Sequence, residues 1–112
     1  MQLLGQKKLE KLKKKKKNNK LSVKIDELIN DIERNNWTTK LELKETIDDA
    51  DCVHSDGFYI FNIETHRTMI LIEFEEQEAE VVWVGSHDEY ELTFKNNKNT
   101  VAKWLRNKGW IL

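Results

Sequence analysis

The chain has no proline, one cysteine and four glycines. Without proline there is no polyproline segment or proline-rich linker, and so little glycine excludes a collagen-like repeat. The single Cys52 cannot form an internal disulfide, which points to a reducing compartment. It also removes the cysteine pairs of a structural zinc site. The three histidines, His54, His66 and His87, offer no i, i+4 pair in their place. No loop alternates oxygen ligands around a glycine as a calcium site does, and no glycine-rich phosphate loop is present. Neither a metal nor a cofactor is expected. Long apolar runs are missing as well. Nothing approaches the roughly 18 apolar residues of a membrane span, and the lysine-rich start lacks the apolar stretch of a signal peptide. A cytoplasmic protein with no membrane attachment is the expectation.

What is present suits a single domain. The 112 residues suffice for one compact domain and are too few for two. Four Trp, four Phe and many Ile, Leu and Val residues argue against disorder, although 35% of residues are charged. The net charge of −1 conceals segregation. Residues 1–20 carry nine lysines and one glutamate, and residues 45–92 carry fourteen acids and a single cation, Arg67. Residues 93–112 return to five basic groups and no acid. Local basic patches are what meet phosphates, so nucleic acid stays open as a partner despite the neutral total. The run Lys13 to Lys17 reads equally as a solvated helix face or a frayed helix end.

The chain divides into a helical part over 1–37, an antiparallel sheet over 51–87, and a C-terminal helix and tail over 93–112. Leu3 and Leu4 suggest a short strand or turn, and Leu9 and Leu12 a first helix that weakens near Lys17. Leu21, Ile25, Leu28, Ile29 and Ile32 keep helical spacing and predict a second helix that ends near Asn35-Asn36, with Trp37 packing back. Residues 38–50 are a connector, in which Leu41 and Leu43 fit a strand or a helical turn. From Asp51 the period becomes two. Asp56-Gly57 marks a two-residue hairpin apex with both residues at positive φ, which would pair Cys52 with Phe61. Strands follow over Phe58 to Ile63, Thr68 to Phe74 and Ala79 to Val84. Ile70, Ile72 and Phe74 should face one way, and Met69 and Leu71 the other. A strand apolar on both faces is covered twice. Asn99 or Thr100 caps the last helix, Val101, Trp104 and Leu105 form its stripe, and Gly109 suits its C′ position. The fold class is α+β, a helix pair on a small antiparallel sheet.

Few residues offer chemistry. Cys52 reads as a small buried hydrophobe. Arg67, alone among acids, reads as their ion-pair partner or as an anion binder, and composition favours the ion pair. Where the last strand runs out, Gly85 to Glu91 concentrates a histidine and a tyrosine. Cleaving RNA without metal requires a base for the 2′-hydroxyl, an acid for the leaving oxygen and a cation for the phosphorane. His87, Tyr90 and Arg67 are of those types.

Asn36-Trp37-Thr38, the strand Tyr59-Ile60-Phe61-Asn62-Ile63, the strand Arg67 to Ile72 and the ending Val84-Gly85-Ser86-His87-Asp88-Glu89-Tyr90-Glu91 occur in a telling order. In this the chain resembles, from about Leu3 to Glu91, the HigB-family toxins of bacterial type II toxin–antitoxin systems, members of the RelE-like superfamily. The resemblance implies a ribosome-dependent endoribonuclease that cuts translated mRNA, an mRNA interferase. It also implies a RelE-like fold with RNA across an exposed sheet face, and a HigA-like antitoxin as partner. The antitoxin would cover the basic helices with an acidic or amphipathic segment. By position, Arg67, His87 and Tyr90 match the family's site, with His66 beside them, and Asn62 matches its asparagine. Asn62, Lys13, Lys14, Lys16, Lys17, Lys95 and Lys98 are candidates for RNA contact, and Lys103 and Arg106 lie further along the tail. The chain departs from the family at Met69, where a lysine-tyrosine-arginine-leucine run would supply a second cation; protonated His66 is the candidate replacement. The departure leaves a second reading open, a non-catalytic RelE-like module that binds RNA, ribosome or a partner protein.

Overall fold

The computed structural model describes residues 1–112. A short strand, β1 (Gln2–Leu4), leads into α1 (Lys7–Lys16) and α2 (Asn19–Arg34). Like charges over Lys13 to Lys17 and the lack of an apolar residue after Leu12 end α1, and Lys17 takes the left-handed conformation with φ 48°. Asn18 then starts α2, its side-chain oxygen accepting from the backbone N–H groups of Lys20 and Leu21 at 3.0 and 3.2 Å. The helix buries Leu21, Ile25, Leu28, Ile29 and Ile32, the stripe expected from spacing. Beyond it Trp37 turns inward and donates from Nε1 to Thr46 Oγ1 at 3.0 Å.

The connector resolves as a helix, α3 (Lys40–Thr46). Thr39 accepts from Glu42 N–H, and the Glu42 carboxylate accepts in return from the Thr38 N–H at 2.9 Å. Those caps decide the matter against a strand. Leu43 is fully buried while Leu41 is 69% exposed, so the two leucines do not share a face.

Four strands follow: β2 (Asp51–His54), β3 (Phe58–Ile63), β4 (His66–Glu73) and β5 (Glu78–Ser86). The sheet order is β1-β5-β4-β3-β2. Consecutive strands pair antiparallel, but β1 lies parallel to β5 through Gln2–Glu78, Leu3–Ala79 and Leu4–Glu80. The sheet is therefore mixed, not antiparallel as expected. The first hairpin also differs from expectation. Cys52 pairs with Tyr59 rather than Phe61, and the register shifts between Cys52 and His54. The loop has three residues, Ser55 to Gly57, because the His54 ring accepts from Asp56 N–H at 3.0 Å and the His54 carbonyl from Gly57 N–H at 3.1 Å. Only Gly57 there has positive φ, at 103°, and a Cβ on it would sit 2.7 Å from the Ile72 carbonyl oxygen.

The sheet has a core on each face. Tyr59, Phe61, Ile63, Ile70, Ile72 and Val81 meet the buried stripes of α1, α2 and α3. Phe58, Ile60, Met69 and Val82 meet Tyr90 and Phe94 of α4 (His87–Phe94), and Val101 and Leu105 of α5 (Lys98–Asn107). The alternation expected for Met69 to Phe74 is realised. Cys52 is half-buried against the first core, its thiol 3.4 Å from the His54 carbonyl. Asn97, rather than Asn99 or Thr100, caps α5, accepting from both of their N–H groups. At its far end Gly109 N–H donates to Arg106 O and Trp110 N–H to Leu105 O, a Schellman closure that turns Trp110 and Ile111 onto the second core. The sheet face expected to carry RNA is thus largely roofed. No helix is long and apolar enough to cross a membrane.

Candidate functional site

Two register steps beyond the roofed Ile60–Met69 pair, Asn62 faces Arg67 across β3 and β4. Strand alternation puts both on the face of the second core, where that core runs out. Arg67 Nε donates to Asn62 Oδ1 at 3.0 Å. Its guanidinium carbon lies 4.7 Å from the centre of the Tyr90 ring, in cation–π geometry. The ion pairs of the structure join Lys13 to Glu10 and Asp26, and Lys24 to Glu27, and none involves Arg67. The ion pair that composition favoured is therefore replaced by two neutral supports. A half-exposed cation with no bound counter-charge is free to meet an anion.

The tyrosine is fixed by its own neighbours. Ser86 Oγ accepts from Glu89 N–H at 3.0 Å and the Glu89 carboxylate accepts from Ser86 N–H at 2.8 Å. This reciprocal capping box starts α4 directly where β5 stops. Tyr90, one turn in, is 3% exposed and packs edge-on to Trp83 at 6.0 Å and beside Phe94 at 5.3 Å. Gly85 makes this possible. A Cβ there would fall 2.5 Å from the Trp83 ring, so any side chain would push the indole away. Burial raises the Tyr90 pKa above its usual 10, outweighing the lowering effect of Arg67. Its hydroxyl therefore stays protonated at neutral pH. The packing sets the Tyr90 ring against the guanidinium.

His87 is exposed at the first turn of α4, its backbone N–H donating to the Thr65 carbonyl at 3.2 Å. It lines a cleft of about 480 Å³ with His66, Lys16, Thr65, Ser86 and the acids Glu64 and Asp88. His66 is buried, and Thr65 Oγ1 lies 2.9 Å from its Nδ1. Burial first, then Lys16, holds its pKa below the ordinary 6.5, against an opposite pull from Glu89 and with a smaller lowering by His87. Adjacent strand residues face opposite ways, so His66 points to the α1 side while Arg67 points to the α4 side. His66 therefore does not replace a cation missing at position 69. Met69 itself is fully buried in the second core, under α4 and α5.

The candidate lysines fall in three places. Lys13 is committed to Asp26 at 2.7 Å. Lys14, Lys16 and Lys17 are exposed at the end of α1, and Lys16 reaches the His66–His87 cleft. Lys95 and Lys98 are exposed at the junction of α4 and α5. The acids are equally segregated. Glu73, Glu75, Glu76 and Glu78 gather at the β4–β5 turn, at the other end of β4 from Arg67, about 20 Å away along the strand. Nearer the site are Asp49, which accepts from Asn62 N–H at 3.1 Å, and Asp51, whose charge acts on Tyr90.

The arrangement brings Arg67, Asn62 and Tyr90 into one contact group and His66, His87 and Lys16 into an adjoining cleft. Sequence reasoning missed α4, although Ser86 and Glu89 stand at capping-box spacing, and it missed Trp83 and Gly85 as supports of Tyr90.

No curated protein matches the chain. The family model of the HigB toxin, described as the RelE-like toxic component of a toxin-antitoxin system, matches residues 21–93. That stretch is most of the chain, runs from α2 into α4 and includes Asn62, Arg67, His87 and Tyr90. It starts after β1 and α1, later than the Leu3 expected from the motifs, and it stops before α5. The chain belongs to the HigB family of RelE-like toxins, the toxic component of a toxin-antitoxin system.

Proposed function

We propose that the chain cuts translated mRNA on the ribosome as an endoribonuclease that uses no metal, and that an antitoxin silences it. One observation carries the reading: Arg67 is a cation without a carboxylate partner, held on a neutral amide and a buried ring at the end of the sheet. Lys14, Lys16 and Lys17 at the end of α1 and Lys95 and Lys98 at the α4–α5 junction draw the RNA backbone toward it. Arg67 meets the charge that develops on phosphorus. His87 takes the 2′-hydroxyl proton as the 2′-oxygen bonds to phosphorus. The bond to the 5′-oxygen breaks, and the proton passes from His87 to that oxygen. The products are a 2′,3′-cyclic phosphate and a 5′-hydroxyl end. Tyr90 and Asn62 position Arg67. His66, buried and kept neutral, shapes the cleft wall behind His87.

A second reading has its own observation. Position 69 holds a buried methionine beneath α5, so the covered part of the sheet cannot contact RNA. On that ground a non-catalytic RelE-like module for RNA, ribosome or a partner protein stands as the alternative. Primer extension on mRNA with translating ribosomes separates the two. The first reading expects new 5′ ends that vanish with Arg67→Ala and fall sharply with His87→Ala. Full cleavage by folded Arg67→Ala protein would show the site to be wrong. No new ends from the folded wild-type chain would favour the binding module.

A further inference from the structure

β1 covers the outer edge of β5 only from Glu78 to Glu80. From Val81 to Ser86 that edge pairs with no strand, since β4 lies on the other side. α1 runs beside it, and the two enclose a groove of about 360 Å³. Leu12 and Val84, with Val82 and Trp83 beside them, give the groove an apolar floor, and Lys8, Lys11 and Lys15, spaced along one face of α1, give it a basic rim. Lys8 Nζ already reaches the backbone here, donating to the Val81 carbonyl at 3.4 Å.

We propose that this groove is the antitoxin's docking site, filled by an acidic extended segment that adds a strand beside Val82–Ser86. An open edge supplies main-chain partners to such a segment, and alternate side chains enter the apolar floor. Charge selects the occupant. Three lysines on the rim attract carboxylates of an incoming strand. They also oppose a second copy of this chain, which would bring its own three lysines to the same place. The rim residues are distinct from the lysines proposed to meet RNA. The proposal rests on the chain's place in a toxin-antitoxin system and is independent of whether it cuts RNA.

The test uses the full chain and the protein encoded by the reading frame adjoining its gene. Binding is measured by calorimetry for the wild type and for Lys11→Glu/Lys15→Glu, two exposed positions, with melting curves to confirm folding. Amide exchange is followed over Val82–Ser86 in the free chain and in the complex. The expected result is slowed exchange of these amides in the complex and binding weaker by about tenfold or more in the double variant. Unchanged exchange, or a folded double variant that binds as tightly as wild type, would overturn the docking site while leaving the antitoxin partnership intact. A double variant that loses RNA affinity but keeps the antitoxin would reassign the groove to nucleic acid, also against the proposal. Absence of any complex with the wild type would overturn the partnership itself.

Discussion

Placing a lysine at position 69 tests whether the second core is closed in solution. Met69 is fully buried among Val82, Phe94, Val101 and Leu105, and Trp83 is its register partner. The family resemblance leads one to expect a cation at this position, so Met69→Lys looks like a restoration. The structure predicts a severe loss instead. An ammonium buried in apolar surroundings has its pKa lowered by up to about 3–5 units, at about 1.4 kcal/mol per unit. At pH 7 the cost is set by the roughly 3 units between that pH and the unfolded pKa, about 4–5 kcal/mol, against a total stability of about 5–15 kcal/mol for an ordinary domain. Because the folded chain would hold that lysine neutral while the unfolded chain protonates it, stability rises with pH until the unfolded pKa near ~10.4 is passed. Urea unfolding followed by tryptophan fluorescence at pH 7 and at pH 9.5 measures both the loss and its recovery. Met69→Leu is the control, with a cost below about 1.5 kcal/mol. A Met69→Lys protein with the wild-type midpoint at pH 7 would refute the reasoning, because it would mean that α4 and α5 stand away from the sheet.

Two further outcomes follow from the site. Ser86→Ala removes the acceptor for Glu89 N–H and costs about 1 kcal/mol, which lowers Tm by about 4 °C. Ser86→Asp keeps an acceptor and the melting temperature, and equal melting of all three proteins would mean that the box does not hold α4. His66 sets a pH dependence. Its folded pKa lies below 6.5, so below that pH the unfolded chain binds a proton that the folded chain refuses. Stability therefore falls as pH drops from 6.5, before Glu42 and Glu89, both held below 4.5 by hydrogen bonds, begin to titrate. Denaturation midpoints between pH 7 and pH 5 should decline less in His66→Gln than in the wild type; identical slopes would assign the dependence to other groups.

The parts of this fold that could be read ahead of the structure are those governed by near neighbours in sequence. The stripe of α2, the break at Asn18, the two faces of Met69 to Phe74 and the close of α5 at Gly109 each follow from spacing or from one residue's preference. The parallel place of β1 follows from nothing local, because its partner lies more than seventy residues away. The first hairpin was misread because the His54 ring, and not Asp56, satisfies the loop. Around the site, the ordered motifs picked out Arg67, Asn62, His87 and Tyr90, but not which would touch. Strand alternation alone already separates His66 from Arg67. The burial that makes Tyr90 a support depends on α5, Trp83 and Gly85 together.

Pairing β1 with β5 has a consequence for how the protein comes into being. The first strand of the chain has no partner until Glu78 to Glu80 have been made, and the apolar stripes of α1 and α2 wait for the same sheet. Arg67 has no ring beneath it until Tyr90 follows, and Phe94 and Leu105, which enclose that end, come later still. Contacts this distant in sequence are slow to form, and synthesis delivers the N-terminal half first. A growing chain therefore carries its lysines and its arginine well before it can hold them in place. Arg67 gains its full support only after Leu105 has been made.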